Sequence, residues 1–100
     1  MRYYMVADDK RKFKKLDNAR KRAIEIGRNN KYYSKANVSV PIWNEKNESV
    51  GEVYVGDSRM PYPEWVTHYW KFSEHTGRTM MMNKRWILNK DGSLGKKVMG

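Results

Sequence analysis

The sequence predicts an α+β domain. One amphipathic helix, about residues 17–29, packs on a largely antiparallel sheet of four to five strands in the order β-α-β-β-β-β. Three observations lead there. A helical apolar period occurs once, between residues 16 and 28. Alternating runs rich in Val, Ile, Thr and aromatics recur from residue 38 onward. Turn signals separate those runs, among them "NEKNES", "SEHTGR" and the Asp91-Gly92 pair.

The elements follow in chain order. Residues 2–7, "RYYMVA", are aromatic and β-branched and read as a first strand, with Tyr3, Met5 and Ala7 on one face and Tyr4 and Val6 on the other. A charged loop, "DDKRKFKKL", leads into the helix. Asp17 has the chemistry of an N-cap and suits the positive end of the helix dipole. At 100° per residue, Leu16, Ala19, Ala23, Ile26 and Gly27 gather on one side with Ile24 at its edge, while Lys21, Glu25 and Arg28 lie opposite. Arg20 and Arg22 flank this stripe. Its small residues allow close approach to a sheet. Asn29 and Asn30 can supply the left-handed stop.

Next comes a hairpin, "ANVSVPIW" returning as "SVGEVYVG". Val38, Val40 and Ile42 share a face with Val53 and Val55. Pro41 lacks an N–H, so its strand lies at an edge or carries a bulge. Two close prolines make residues 57–64 a loop. Residues 64–72 read as a strand, because aromatics, Val and Thr dominate. Residues 79–89 form a long strand or two short ones. "LGKKVMG" is a short last strand or a frayed tail.

One hundred residues suffice for one core, and residues 1–100 read as a single domain. There is no Cys, so disulfides and thiolate metal sites are excluded. No apolar run approaches the ~20 residues of a membrane span. The opening "MRYYMVADD" lacks the apolar stretch of a secretory signal, and the expected location is cytoplasmic.

The formal net charge is +10. It is concentrated. Residues 10–35 hold eleven basic side chains against two acids, Asp17 and Glu25. A smaller excess lies at the C-terminus, in Lys84, Arg85, Lys90, Lys96 and Lys97 against Asp91. Charge added for solubility alone would spread more evenly; segregation predicts a patch that meets polyanions.

Catalytic chemistry is hard to place. There are two histidines, His68 and His75. His68 alternates with Val66 and Trp70 and reads as a half-buried strand residue, and His75 reads as a solvated turn residue. The acids Glu45, Glu48, Glu52, Asp57 and Glu64 fall in turns or on strand surfaces, without the buried pairing that acid–base work needs. "GEVYVGD" lacks the Lys-Ser/Thr ending of a phosphate loop. No metal set, catalytic set or cofactor is expected, and the chain reads as a non-enzyme. An enzyme would instead show His68 and a carboxylate in one cleft. The Met80–Met82 run and the tryptophans read as core filling. Alternation leaves both faces of residues 65–72 aromatic, with Trp65 and Tyr69 as candidate aromatic anchors beside the cations.

The expected function is therefore a small, non-enzymatic basic domain that contacts nucleic acid through phosphates. Its stripe comprises Lys12, Lys14, Lys15, Arg20, Lys21, Arg22, Arg28 and Lys31, on the loop over residues 10–15 and the outer helix face. The alternative is an accessory protein of the kind phages and mobile elements carry. Such a domain binds and inhibits a host complex, for instance a nuclease or defence effector, with the aromatic, Met-rich segment 60–88 as anchor.

Overall fold

The computed structural model of the chain describes residues 1–30, 37–56 and 63–98. It shows one helix packed against a curled antiparallel sheet. The order is β1 (Tyr4–Val6), α1 (Leu16–Arg28), β2 (Val38–Asn44), β3 (Ser49–Val55), β4 (Glu64–Ser73), β5 (Arg78–Leu88) and β6 (Leu94–Lys97). The sheet has six strands, not four to five, and each strand neighbours the next in sequence. The added strand is β6. The Asp91-Gly92 turn returns the chain so that Leu94 pairs with Leu88 and Lys97 with Trp86.

The helix starts at Leu16, its N-cap two residues before Asp17, and it ends on Asn29 with a right-handed φ of −87° rather than a left-handed one. Lys15 is the N-cap, without a side-chain cap bond, and Asp17 sits in the first turn, where its carboxylate still faces the positive dipole end. The apolar stripe lands on the β1–β3 part of the sheet. Ala19, Ala23 and Ile24 join Val6, Val40, Ile42, Val53, Val55, Trp65 and Leu88 in one buried cluster. Registry explains the shared valine face: Val38 lies opposite Val55, and Val40 opposite Val53. The close approach expected of small residues is realised at Gly27. A Cβ there would stand 2.5 Å from Val55 Cγ2.

Pro41 lies in an interior strand rather than an edge strand. Its carbonyl accepts from Ala7 N at 3.0 Å, so its nitrogen also points toward β1, where β1 has just ended. The bulge expected of this strand occurs one step later, between Ile42 and Trp43. At the outer edge of β1, Tyr4 and Phe13 exchange both backbone hydrogen bonds, at 2.8 and 2.9 Å. This clips the charged loop to the sheet.

Beyond Val66 the architecture changes. β3 pairs with β4 only at residues 64–66, and β6 pairs with β5 only near its C-terminal end. From Thr67 to Ser73 and from Arg78 to Lys84, β4 and β5 pair only with each other. The result is a two-stranded ribbon about 24 Å long at ~3.4 Å per residue.

Candidate functional site

Three of the opening segment's cations serve the fold. Arg20 is the clearest. It is 5% exposed, donates from Nε to Gly92 O at 2.9 Å and pairs with Asp17 Oδ1 at 2.6 Å. Its guanidinium also stacks 5.0 Å from the Trp65 ring centre. The turn over residues 89–93 folds back onto the flank of the helix and buries this arginine. Arg20 therefore cannot contact a phosphate, contrary to its expected place in the stripe.

Asp9 neutralises the other two. Its carboxylate accepts from Arg11 Nη2 at 2.9 Å, Arg11 N at 2.9 Å and Arg22 Nε at 2.7 Å. The Arg11 side chain foremost, then its backbone N–H and Arg22, hold this carboxyl far below the usual carboxylate range. Asp9, and then Glu25, raise the already high pKa of Arg22. Arg22 also meets Glu25 at 3.0 Å. Arg22 thus remains at the surface with its charge largely satisfied.

The remaining candidates differ. Lys14, Lys15, Lys21 and Arg28 are exposed, and none makes an ion pair within 4 Å among the described residues. Lys12 is exposed and lies 4.7 Å over the Tyr3 ring. Lys21 feels Asp91 at longer range. It contributes least to holding the Asp91 carboxyl below its ordinary value, after the Ser93 hydroxyl and backbone N–H. Lys31 lies outside the described residues. The loop does come to the helix: Arg11 and Phe13 line a shallow groove with Asn18, Lys21, Arg22 and Glu25.

The aromatic candidates separate as sharply. Trp65 is 3% exposed and belongs to the core, so it cannot anchor a partner. Its neighbour Gly51 explains the fit, since a Cβ at Gly51 would lie 2.6 Å from the indole. Tyr69 is at the surface, with Lys84 Nζ 5.0 Å from its ring centre. Trp70, Phe72 and Met80–Met82 fill no core. Trp70 is 68% exposed and Phe72 60%, because among the described residues neither the helix nor a third strand pairs with or covers this part of the ribbon. Trp70 and Phe72 share a face with Met81 and Thr79, while Tyr69 and Lys71 share the other with Met80 and Met82.

His68 is more exposed than expected, and it has a carboxylate neighbour. Its Nε2 stands 3.9 Å from Glu52 Oε1, and its Nδ1 lies 2.6 Å from Asn83 Oδ1. Ser39 donates to the other Glu52 oxygen at 2.8 Å. In this order the Ser39 hydroxyl meets the carboxylate rather than the imidazole. The groove beside it, lined by Ser49, Val50, Gly51 and Met81, is open. Glu64, expected at the surface, is buried at the ribbon base; its Oε2 makes no hydrogen bond, and Arg85 Nη1 approaches it to 3.5 Å.

Among the described residues, no three His, Asp or Glu side chains group to hold a metal ion, and no helix is long and apolar enough to cross a membrane. Compared with known protein families, curated proteins and solved structures, the chain matches none.

Proposed function

We propose that this domain binds nucleic acid, chiefly through phosphates. One observation carries the reading: Lys12, Lys14, Lys15, Lys21 and Arg28 are exposed, while Asp9, Asp17 and Glu25 are engaged by Arg11, Arg20 and Arg22. These three acids go to the arginines the fold uses, and the five cations are left to solvent. A chain of net charge +10 with such a surface attracts polyanions at long range and releases their counterions on contact. These contacts supply affinity without reading sequence.

The test is a triple reversal, Lys14→Glu, Lys21→Glu and Arg28→Glu. Binding of random-sequence DNA or RNA at low salt is abolished, while the melting temperature stays within a few degrees of wild type. Undiminished binding by the triple variant across a salt titration would rule the stripe out.

A second reading is favoured by the exposed Trp70, Phe72 and Met80–Met82. In it the domain is an accessory protein that captures and blocks an acidic host complex, such as a nuclease or defence effector. Salt-resistant capture of one protein, without any nucleic-acid binding, would replace the first reading with this one.

A further inference from the structure

We infer that the β4–β5 ribbon is a stacking arm that selects single-stranded nucleic acid. The inference rests on the polyanion reading above and adds to it a strand preference carried by different residues.

An isolated two-stranded ribbon is marginal in water, and apolar rings along it are an aggregation hazard. Here the ribbon nonetheless exposes Trp70, Phe72, Tyr69 and three methionines. Trp70 and Phe72 are two residues apart on one face, so their Cα atoms stand about 6.7 Å apart along the strand. Bases can lie on or between rings so spaced, once they are unpaired.

Charge chooses the occupant. Residues 65–73 and 78–88 contain Lys71, Arg78, Lys84 and Arg85 and no Asp or Glu. Among the described residues only Arg85 has a carboxylate within 4 Å, at Glu64. Lys84 beside Tyr69 and Lys97 beside Trp86 place cations directly on ring faces. Rings interleaved with unneutralised cations match a ligand that alternates π-faces with phosphates. A second copy of this chain fits poorly, since it would bring a second charge of +10 against the first. A lipid surface fits poorly too. The rings lie on both faces of the ribbon, and its tip, Glu74-His75-Thr76-Gly77, is polar. A plane meets one face, whereas a flexible strand can follow both.

The cations also connect. Gly92 packs against the backbone of Asp17 and Lys21, β6 runs from there past Lys96 and Lys97, and Val98 N bonds Arg85 O at 2.8 Å. Edge strand β6 thus links the first turns of the helix to the ribbon base. One strand can therefore contact the helix stripe and the arm together.

The experiment titrates the intact protein with oligothymidylate, with the same strand annealed to oligoadenylate, and with inorganic polyphosphate, reading tryptophan emission. Oligothymidylate quenches the wild type, and most of that quenching disappears in Trp70→Phe. The double variant W70A/F72A keeps its melting temperature, loses about tenfold or more in affinity for oligothymidylate, and binds duplex and polyphosphate as before. Unchanged oligothymidylate binding by W70A/F72A overturns the inference, as does an equal loss for all three ligands. Quenching by phosphatidylserine vesicles but not by oligothymidylate also overturns it, as does a dimer that the double variant dissolves. If duplex and polyphosphate bind while Trp70 stays silent, only the arm fails. If none of the three binds, the stripe reading fails with it.

Discussion

Arg20 and Lys21 are neighbours in sequence with opposite fates, and substituting each with alanine separates fold from site. Removing the Arg20 side chain leaves the Gly92 carbonyl unsatisfied beside a buried helix flank. That costs about 1–3 kcal/mol. It also removes a cation from the Trp65 ring 5.0 Å away, worth about 0.5–2 kcal/mol. Asp17 loses a partner too, but its side chain is 54% exposed and water replaces the guanidinium at little cost. The sum for R20A is about 1.5–5 kcal/mol. For a domain of this size each kcal/mol moves the melting temperature by about 4–8 °C, so a fall of about 6–40 °C is expected. Thermal unfolding followed by circular dichroism measures it. K21A stays within about 0.5 kcal/mol of wild type, as expected for an exposed side chain with no close partner. Below its melting transition, R20A still binds oligonucleotide nearly as wild type does, whereas K21A binds more weakly. An R20A variant melting within a few degrees of wild type would refute the buried role. So would a K21A variant that unfolds as early as R20A.

Two further substitutions probe the same account. Asp9→Asn weakens the neutralisation of Arg11 and Arg22, so low-salt affinity for oligonucleotides rises; an unchanged or lower affinity would show that these arginines do not face the ligand. Because the Asp9 carboxyl is depressed in the folded protein, its stabilising contribution is complete above about pH 4 and is lost as the pH falls toward the folded value. The stability of D9N therefore declines less steeply with acid than that of wild type, which acid unfolding followed by fluorescence would show. Gly27→Ala gains helix propensity of about 1 kcal/mol but drives a methyl to 2.5 Å from Val55 Cγ2, and overpacking costs about 1–3 kcal/mol. A net loss in urea unfolding is expected, with recovery in the G27A/V55A pair; a more stable G27A would mean the helix stands further from the sheet.

Local patterns made much of the fold legible. The helix stripe, the valine face of the β2–β3 hairpin and the Asp-Gly turn each depend on spacing within a few residues, and each appears in the structure where its pattern lies. What stayed hidden depends on distant segments. Arg20 sits at the stripe's flank on a helical wheel, and only the turn over residues 89–93, folded back across the chain, buries it. Asp9 looked like part of a solvated loop, yet it gathers two arginines, one of them on the helix. Alternation placed Trp65 and Tyr69 on one face, but it cannot say where the covering layer stops. That layer ends between them, so Trp65 is core and Tyr69 is surface. The same limit misassigned Trp70 and Met80–Met82 to the core, since a strand apolar on both faces looks identical whether covered twice or not at all.

In the proposed mode of binding, polyanions meet the unneutralised cations of the loop and helix together with the ribbon. Backbone amide shifts of the isotopically labelled protein, recorded while oligothymidylate is added, test this most directly. The predicted perturbations gather at residues 12–15, 21 and 28 and at residues 69–72, and they fade together as salt is raised. Shifts confined to the groove beside His68, or none at all at low salt, would contradict it.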